Sequence, residues 1–138
     1  MSQYFDLGDE TLWNPSNGAA RLFLRHVALY EEELGVPAGI GPMENDECQV
    51  DPAAFGTFVS ALLQWRDSTQ HGVIDALSAG FVATAVALAE RAGAQPRWPE
   101  PRAGLQGRTD IQVPLPDRQD WTGPARERVR ELHRCMPR

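Results

Sequence analysis

Apolar positions recur with a helical period in three stretches of the chain. In the first, Phe23, Val27, Tyr30 and Leu34 are spaced for one helix face, and Ala20, Leu24 and Ala28 widen it. The spacing predicts a helix from about 18 to 34. Ser16 or Asn17 can cap its start, Gly35 fits the position just past its end, and Pro37 bars its resumption. In the second, Phe55, Phe58, Val59, Leu62 and Leu63 fill every position of the amphipathic template, after an Asp51-Pro52 start and before an end near Thr69. In the third, from Val73 to Ala92, the residues Val73, Ile74, Leu77, Phe81, Val82, Val86 and Leu88 go most of the way round. A helix apolar on nearly all sides is expected at the centre of a bundle.

The flanking segments follow other patterns. Gln3–Leu7 and Thr11–Trp13 are β-prone around Gly8-Asp9, the signature of a hairpin. Residues 35–50 read as a loop in which Cys48-Gln49-Val50 can form a short strand. After Gly93 the chain turns proline-rich and extended over 95–102. Ile111, Val113 and Leu115 then alternate with polar residues and prolines, and Pro114 confines such a strip to a sheet edge. A last helix is expected from about Thr122 to Cys135, with a thin apolar stripe of Ala125, Val129, Leu132 and Met136. The expected fold is mainly α: a bundle of three to four helices with a small N-terminal β-hairpin and an extended C-terminal arm. Residues 1–93 form the body and 94–138 the arm. The arm carries Trp98 and Trp121, apolar surface that calls for packing on the body.

Composition narrows the picture. The 138 residues are 42% hydrophobic, enough for one domain with its own core. Residues 1–93 hold four arginines against thirteen acids, whereas 94–138 hold nine arginines against six acids. All 13 basic residues are arginine. An acidic body argues against nucleic acid as a partner, since affinity for phosphate needs clustered positive charge. The longest apolar stretch, Gly80 to Ala89, is interrupted by Thr84 and falls short of the about 20 residues that span a membrane. With no signal-like N-terminus and only two isolated cysteines, Cys48 and Cys135, the expectation is a soluble cytoplasmic protein without disulfides.

Candidate chemistry is sparse. Glu44, Asp46, Glu47 and Cys48 are the densest set of potential ligands or acid–base groups. Their spacing matches no calcium loop, and a solvated acidic loop that caps the next helix is the plainer reading. His26 lies at the edge of the first apolar face, with no second histidine or cysteine one turn away to complete a zinc pair. Cys48 precedes a helix start, but Asp46, Glu47 and Asp51 would raise its pKa, so a buried structural thiol is favoured. Trp13 can wall a pocket with Asn14 and Asn17, or simply turn the corner between strand and helix. Gly39-Ile40-Gly41-Pro42 lacks the lysine of a phosphate-binding loop. No metal and no cofactor is expected.

Three stretches carry a resemblance: Leu12–Gly18, Asp46–Asp51, and Ala53 with Phe55, Phe58, Val59, Leu62 and Leu63. Together they resemble a family of short actinobacterial proteins of unknown function, common in streptomycetes, over roughly residues 1–93 with the arm outside it. The resemblance implies no activity and no site residue. Val50–Phe55 and the helical pair after it are also similar to helical-hairpin proteins associated with type VII secretion, although the Trp-x-Gly turn is absent. With no nucleophile–base constellation but a charge-polarised body and an aromatic arm, the leading expectation is a non-enzymatic module that binds a protein partner or a second copy of itself. The alternative is a small enzyme or ligand-binding domain. Its site would lie between the Trp13–Gly18 corner and the 39–48 loop, drawing on Trp13, Asn14, His26, Glu44, Asp46, Glu47 and Cys48.

Overall fold

The structure is a computed structural model that describes residues 1–69, 71–100 and 121–138. Strands β1 (Tyr4–Leu7) and β2 (Glu10–Trp13) form the N-terminal hairpin, and helix α1 spans Asn17–Leu34. Strand β3 (Glu47–Gln49) leads into α2 (Pro52–Ser68), α3 (Gly72–Arg91) and α4 (Thr122–Cys135). The fold is mainly α with a small three-stranded sheet of order β2-β1-β3. β1 pairs antiparallel with β2 and parallel with β3, with a bulge between Phe5 and Asp6. Gly8 supplies the positive φ of +60° that a two-residue hairpin turn needs. The Gln49 amide brackets that turn, accepting from the Gly8 amide at 2.9 Å and donating to its carbonyl at 3.3 Å.

The caps follow the sequence closely. Ser16 Oγ accepts from the Ala19 amide, and Gly35 closes α1 in the left-handed conformation. Asp51 accepts from the amides of Ala53 and Ala54, with Pro52 in the first turn of α2. His71 caps α3 through Nδ1, which accepts from Val73 and Ile74. The α2 face of Phe55, Phe58, Val59, Leu62 and Leu63 is wholly buried. Each such side chain contributes about 1.5–3 kcal/mol through water removal.

Two expectations need correction, and a third feature was not anticipated. The segment 35–50 is a ribbon folded back on itself. Ile40 bridges Val50, Glu44 bridges Glu47, and Asn45 and Asp46 take φ of 51° and 64° between them. Two successive left-handed residues make a tight primed turn, for which Asn and Asp are suited. Secondly, α3 is central only from Ser78 onward. Phe81–Ala83 and Ala85–Ala89 are buried, but Val73 is 50% and Leu77 73% exposed, because they lie on the outer side of the first two turns, whose inner side holds Asp75 against Arg66 of α2 and the buried Ser78. By length and composition alone α3 is apolar enough to cross a membrane, a test that a core helix also passes. Thirdly, α2 buries an arginine. Arg66 is 4% exposed. Its Nε donates to Asp75 at 2.9 Å and its Nη1 to the Thr69 carbonyl at 3.2 Å.

Helix α4 packs along α3 through Val129 and Met136. Beyond it the Asn14 amide donates to the Pro137 carbonyl at 2.9 Å, and Arg138 pairs with Glu10 at 3.2 Å. Trp98 and Trp121 lie with ring centroids 6.1 Å apart, between the guanidinium groups of Arg126 and Arg66. The strip of Ile111, Val113 and Leu115 lies outside the described residues.

Candidate functional site

The residues singled out by sequence fall into three separate places. Trp13 is in the core, stacked on Phe5 at 5.1 Å and edge-on to Phe23 at 5.3 Å. Cys48 is also buried, beside Phe5 on the neighbouring strand. Burial, and then the Asp6 carboxylate, push its thiol up to about 12. A thiol so placed stays protonated near neutral pH and is no nucleophile. Glu44, Asp46 and Glu47 are exposed on the turn at the far end of the 40–50 ribbon, where Asp46 accepts from the Gln3 amide at 3.4 Å. Among the described residues no group of three or more His, Cys, Asp or Glu side chains converges as a metal site.

His26 belongs to a third place. Its Nδ1 faces the Leu22 carbonyl at 2.9 Å, the i−4 position of the same helix. Its ring stacks on Phe81 of α3 with centroids 5.7 Å apart. Phe81 also stacks on Tyr30 at 4.7 Å and meets Phe23 at 5.6 Å. Trp13 is thus connected to His26 through the packed rings of Phe23 and Phe81. Asn14 and Asn17 add a polar note at the corner. The Oδ1 atoms of both are shielded from solvent and accept no hydrogen bond among the described residues.

The third place opens onto an apolar surface. Leu22 is 59% and Leu29 57% exposed, and they lie on either side of His26, one turn away in each direction. Across the His26–Phe81 stack, Leu77 and Val73 stand one and two turns before Phe81 on α3. Scattered exposed leucines need no explanation, but four large apolar side chains exposed on the two helices that meet at the His26–Phe81 stack do. A second feature is a shallow groove of about 710 Å³ between α2 and the segment after α3, lined by Gly56, Ser60, Gln64, Ala94 and Arg97 among others. Small side chains shape it: a Cβ on Gly56 would come within 3.1 Å of that of Ala94.

A family model matches the chain over residues 1–138. The chain belongs to the family of unknown function DUF6086. The DUF6086 match runs through the arm as well as the body, so the expectation that the arm lies outside the family is corrected. No curated protein and no solved structure matches the chain.

Sequence reasoning missed two cations that organise this DUF6086 fold, Arg66 buried and Arg91 half-buried. Arg91 donates to the carbonyls of Leu12, His133 and Met136 at 2.8, 3.1 and 3.0 Å. Burial, and then Arg138 nearby, lower its pKa. Arg66 joins α2 to α3 through Asp75 and lies under Trp121 of the arm, 4.8 Å from its ring centroid. The only signal in the sequence was placement: both arginines stand in otherwise apolar stripes.

Proposed function

We propose that this chain is a non-enzymatic protein-interaction module that docks a protein partner on the apolar surface of α1 and the first turns of α3. One observation carries the reading. A chain that seals Phe5, Leu12, Phe55, Phe58, Leu62 and Leu63 completely leaves Leu22 and Leu29 of α1 and Val73 and Leu77 of α3 in water. Exposed apolar area of this kind is favourable to bury against another protein, at about 25 cal/mol per Å² before the costs of association. The groups that could have done chemistry are engaged elsewhere: Cys48 in the core, His26 on its own helix.

A photo-activatable side chain at Leu22 or Leu77, in the full chain expressed in its own host, tests the reading. Discrete protein adducts are expected there and not from Thr57 or Glu127, which sit on other exposed faces. Adducts at no position, or equally at all four, would overturn it.

A second reading rests on the corner oxygens. The unpartnered Oδ1 atoms of Asn14 and Asn17 leave hydrogen-bonding capacity for a small polar ligand or a water beside Trp13. A change in Trp13 environment on ligand screening, lost in Asn14→Leu, would favour that alternative.

A further inference from the structure

We infer that α4 and the tail to Arg138 form a detachable strap, which leaves the body as one unit while the hairpin and α1–α3 stay folded. The inference comes from how differently the two parts are held. The body closes its own core: Phe5, Leu12, Phe58, Leu62, Leu63 and Leu88 are fully buried. From Trp121 onward only Val129 and Met136 are buried, with Trp121 and Leu132 half-buried beside them. α4 does run close along α3. The half of α3 that ends in Glu90 and Arg91, both of which reach α4, carries Ala83, Ala85, Ala87 and Ala89. Small side chains let two backbones approach while little apolar area leaves water.

The grip on the strap is polar and sits at its two ends. At the C-terminal end Arg91 donates to the carbonyls of His133 and Met136, and the Asn14 amide donates to that of Pro137 at 2.9 Å. His133 faces Glu90 at 2.7 Å and Arg138 pairs with Glu10 at 3.2 Å, all on exposed or half-exposed sites where such pairs contribute little. At the other end Trp121 donates through Nε1 to Asp67 at 3.0 Å and lies over Arg66.

The body keeps its own bonds when the strap leaves. Arg66 retains Asp75 and the Thr69 carbonyl, and Arg91 retains the Leu12 carbonyl. Neither cation is stripped of its body partner. The strap, in contrast, cannot stand alone. α4 has 14 residues and no side-chain hydrogen bond at its N-cap. Isolated helices of that length are marginal in water, so α4 melts as it detaches. Elements with few buried apolar contacts open below the free energy of global unfolding, and they open cooperatively. Detachment frees Trp121, Val129 and Met136 together.

Hydrogen exchange read by mass spectrometry on the full chain tests the inference, over a urea series below the unfolding transition. The amides of α4 should exchange as a group, about tenfold or more faster than the protected amides of α2. Their dependence on urea should be shallower, because detachment exposes less surface than unfolding. Val59→Ala supplies the second arm, since Val59 is sealed in α2 and stays so in the detached form. It should accelerate exchange in α2 about tenfold and leave α4 within about twofold. Rates and urea slopes that coincide for α2 and α4, or a Val59→Ala variant that accelerates both by the same factor, would overturn the inference, since strap and body would then open only as one.

Discussion

The guanidinium of Arg91, in the last turn of α3, holds the carbonyl oxygen of Leu12 in β2 at 2.8 Å, across 79 positions of sequence. The other nitrogen of the fork takes the carbonyls of His133 and Met136. One side chain therefore ties the hairpin, the core helix and the end of the arm together. Carbonyls at a helix end have no intrahelical donor, and a planar cation with several N–H groups is suited to collecting them.

Arg91→Met is therefore expected to destabilise the chain by about 2–3 kcal/mol, the scale of losing charged hydrogen bonds to partly buried acceptors. Urea unfolding should report the loss in its midpoint. Hydrogen exchange should show α4 amides losing protection more than those of α2, because the clamp ends on the arm. Arg91→Lys keeps the charge and loses the fork, so it should recover only part of the loss.

The Arg66–Asp75 pair makes an asymmetric prediction. Arg66 is buried and Asp75 half-exposed. Removing the carboxylate in Asp75→Ala takes away the counter-charge of a buried cation that keeps the Thr69 carbonyl and the Trp121 ring, and should cost about 3 kcal/mol or more. Arg66→Met removes the charge, keeps much of the volume, and should cost less. Thermal melts of the two variants and of the double variant test the order. A larger loss for Arg66→Met would show that the stack with Trp121 outweighs the ion pair.

Cys48 gives a pH prediction. In the fold its thiol is pushed up from 9.0 to about 12, chiefly by burial. The folded state holds the thiol proton more tightly than the unfolded state does. The stability this contributes is fully present below about pH 9 and is lost as pH rises toward 12. Cys48→Ala should flatten the alkaline limb of a stability–pH curve. At pH 8 a thiol reagent should titrate the exposed Cys135 quickly and Cys48 only after denaturant is added.

The helices were legible because their signals agree at several levels. Asp51-Pro52, the α2 apolar face and the residues around Thr69 point to one answer, and the helix runs from Pro52 to Ser68. The primed turn at Asn45-Asp46 was legible only after the fact, since such a turn needs strands on both sides and those strands are very short. The exposed face at the start of α3 was hidden for a different reason. Periodicity tells which residues share a face but not how far a neighbouring helix extends beneath it, so Val73 and Leu77 look as buried as Val82 and Val86. The candidate site suffered in the same way. Trp13, His26 and Cys48 were chosen for their chemistry, and packing decided which of them meets solvent. Nothing in the sequence sets Arg66 and Arg91 apart from cations that snorkel outward from an apolar stripe.

Leu77 separates folding from function most cleanly. It is 73% exposed, so its removal opens no cavity and surrenders little buried area. Leu77→Gln should change unfolding free energy by no more than about 0.5 kcal/mol, as surface substitutions do. Leu62 is of the same chemical type and completely buried on α2. Leu62→Ala should cost about 2–5 kcal/mol through lost transfer energy and the cavity left behind. If the apolar surface serves a partner, the order reverses in a binding assay. Leu77→Gln, fully folded, should lose capture by the cross-linker at Leu22, whereas Leu62→Ala below its melting temperature should retain it. A Leu77→Gln variant that unfolds would mean that α3 packs along its whole length. One that folds and binds unchanged would confine the docking surface to α1.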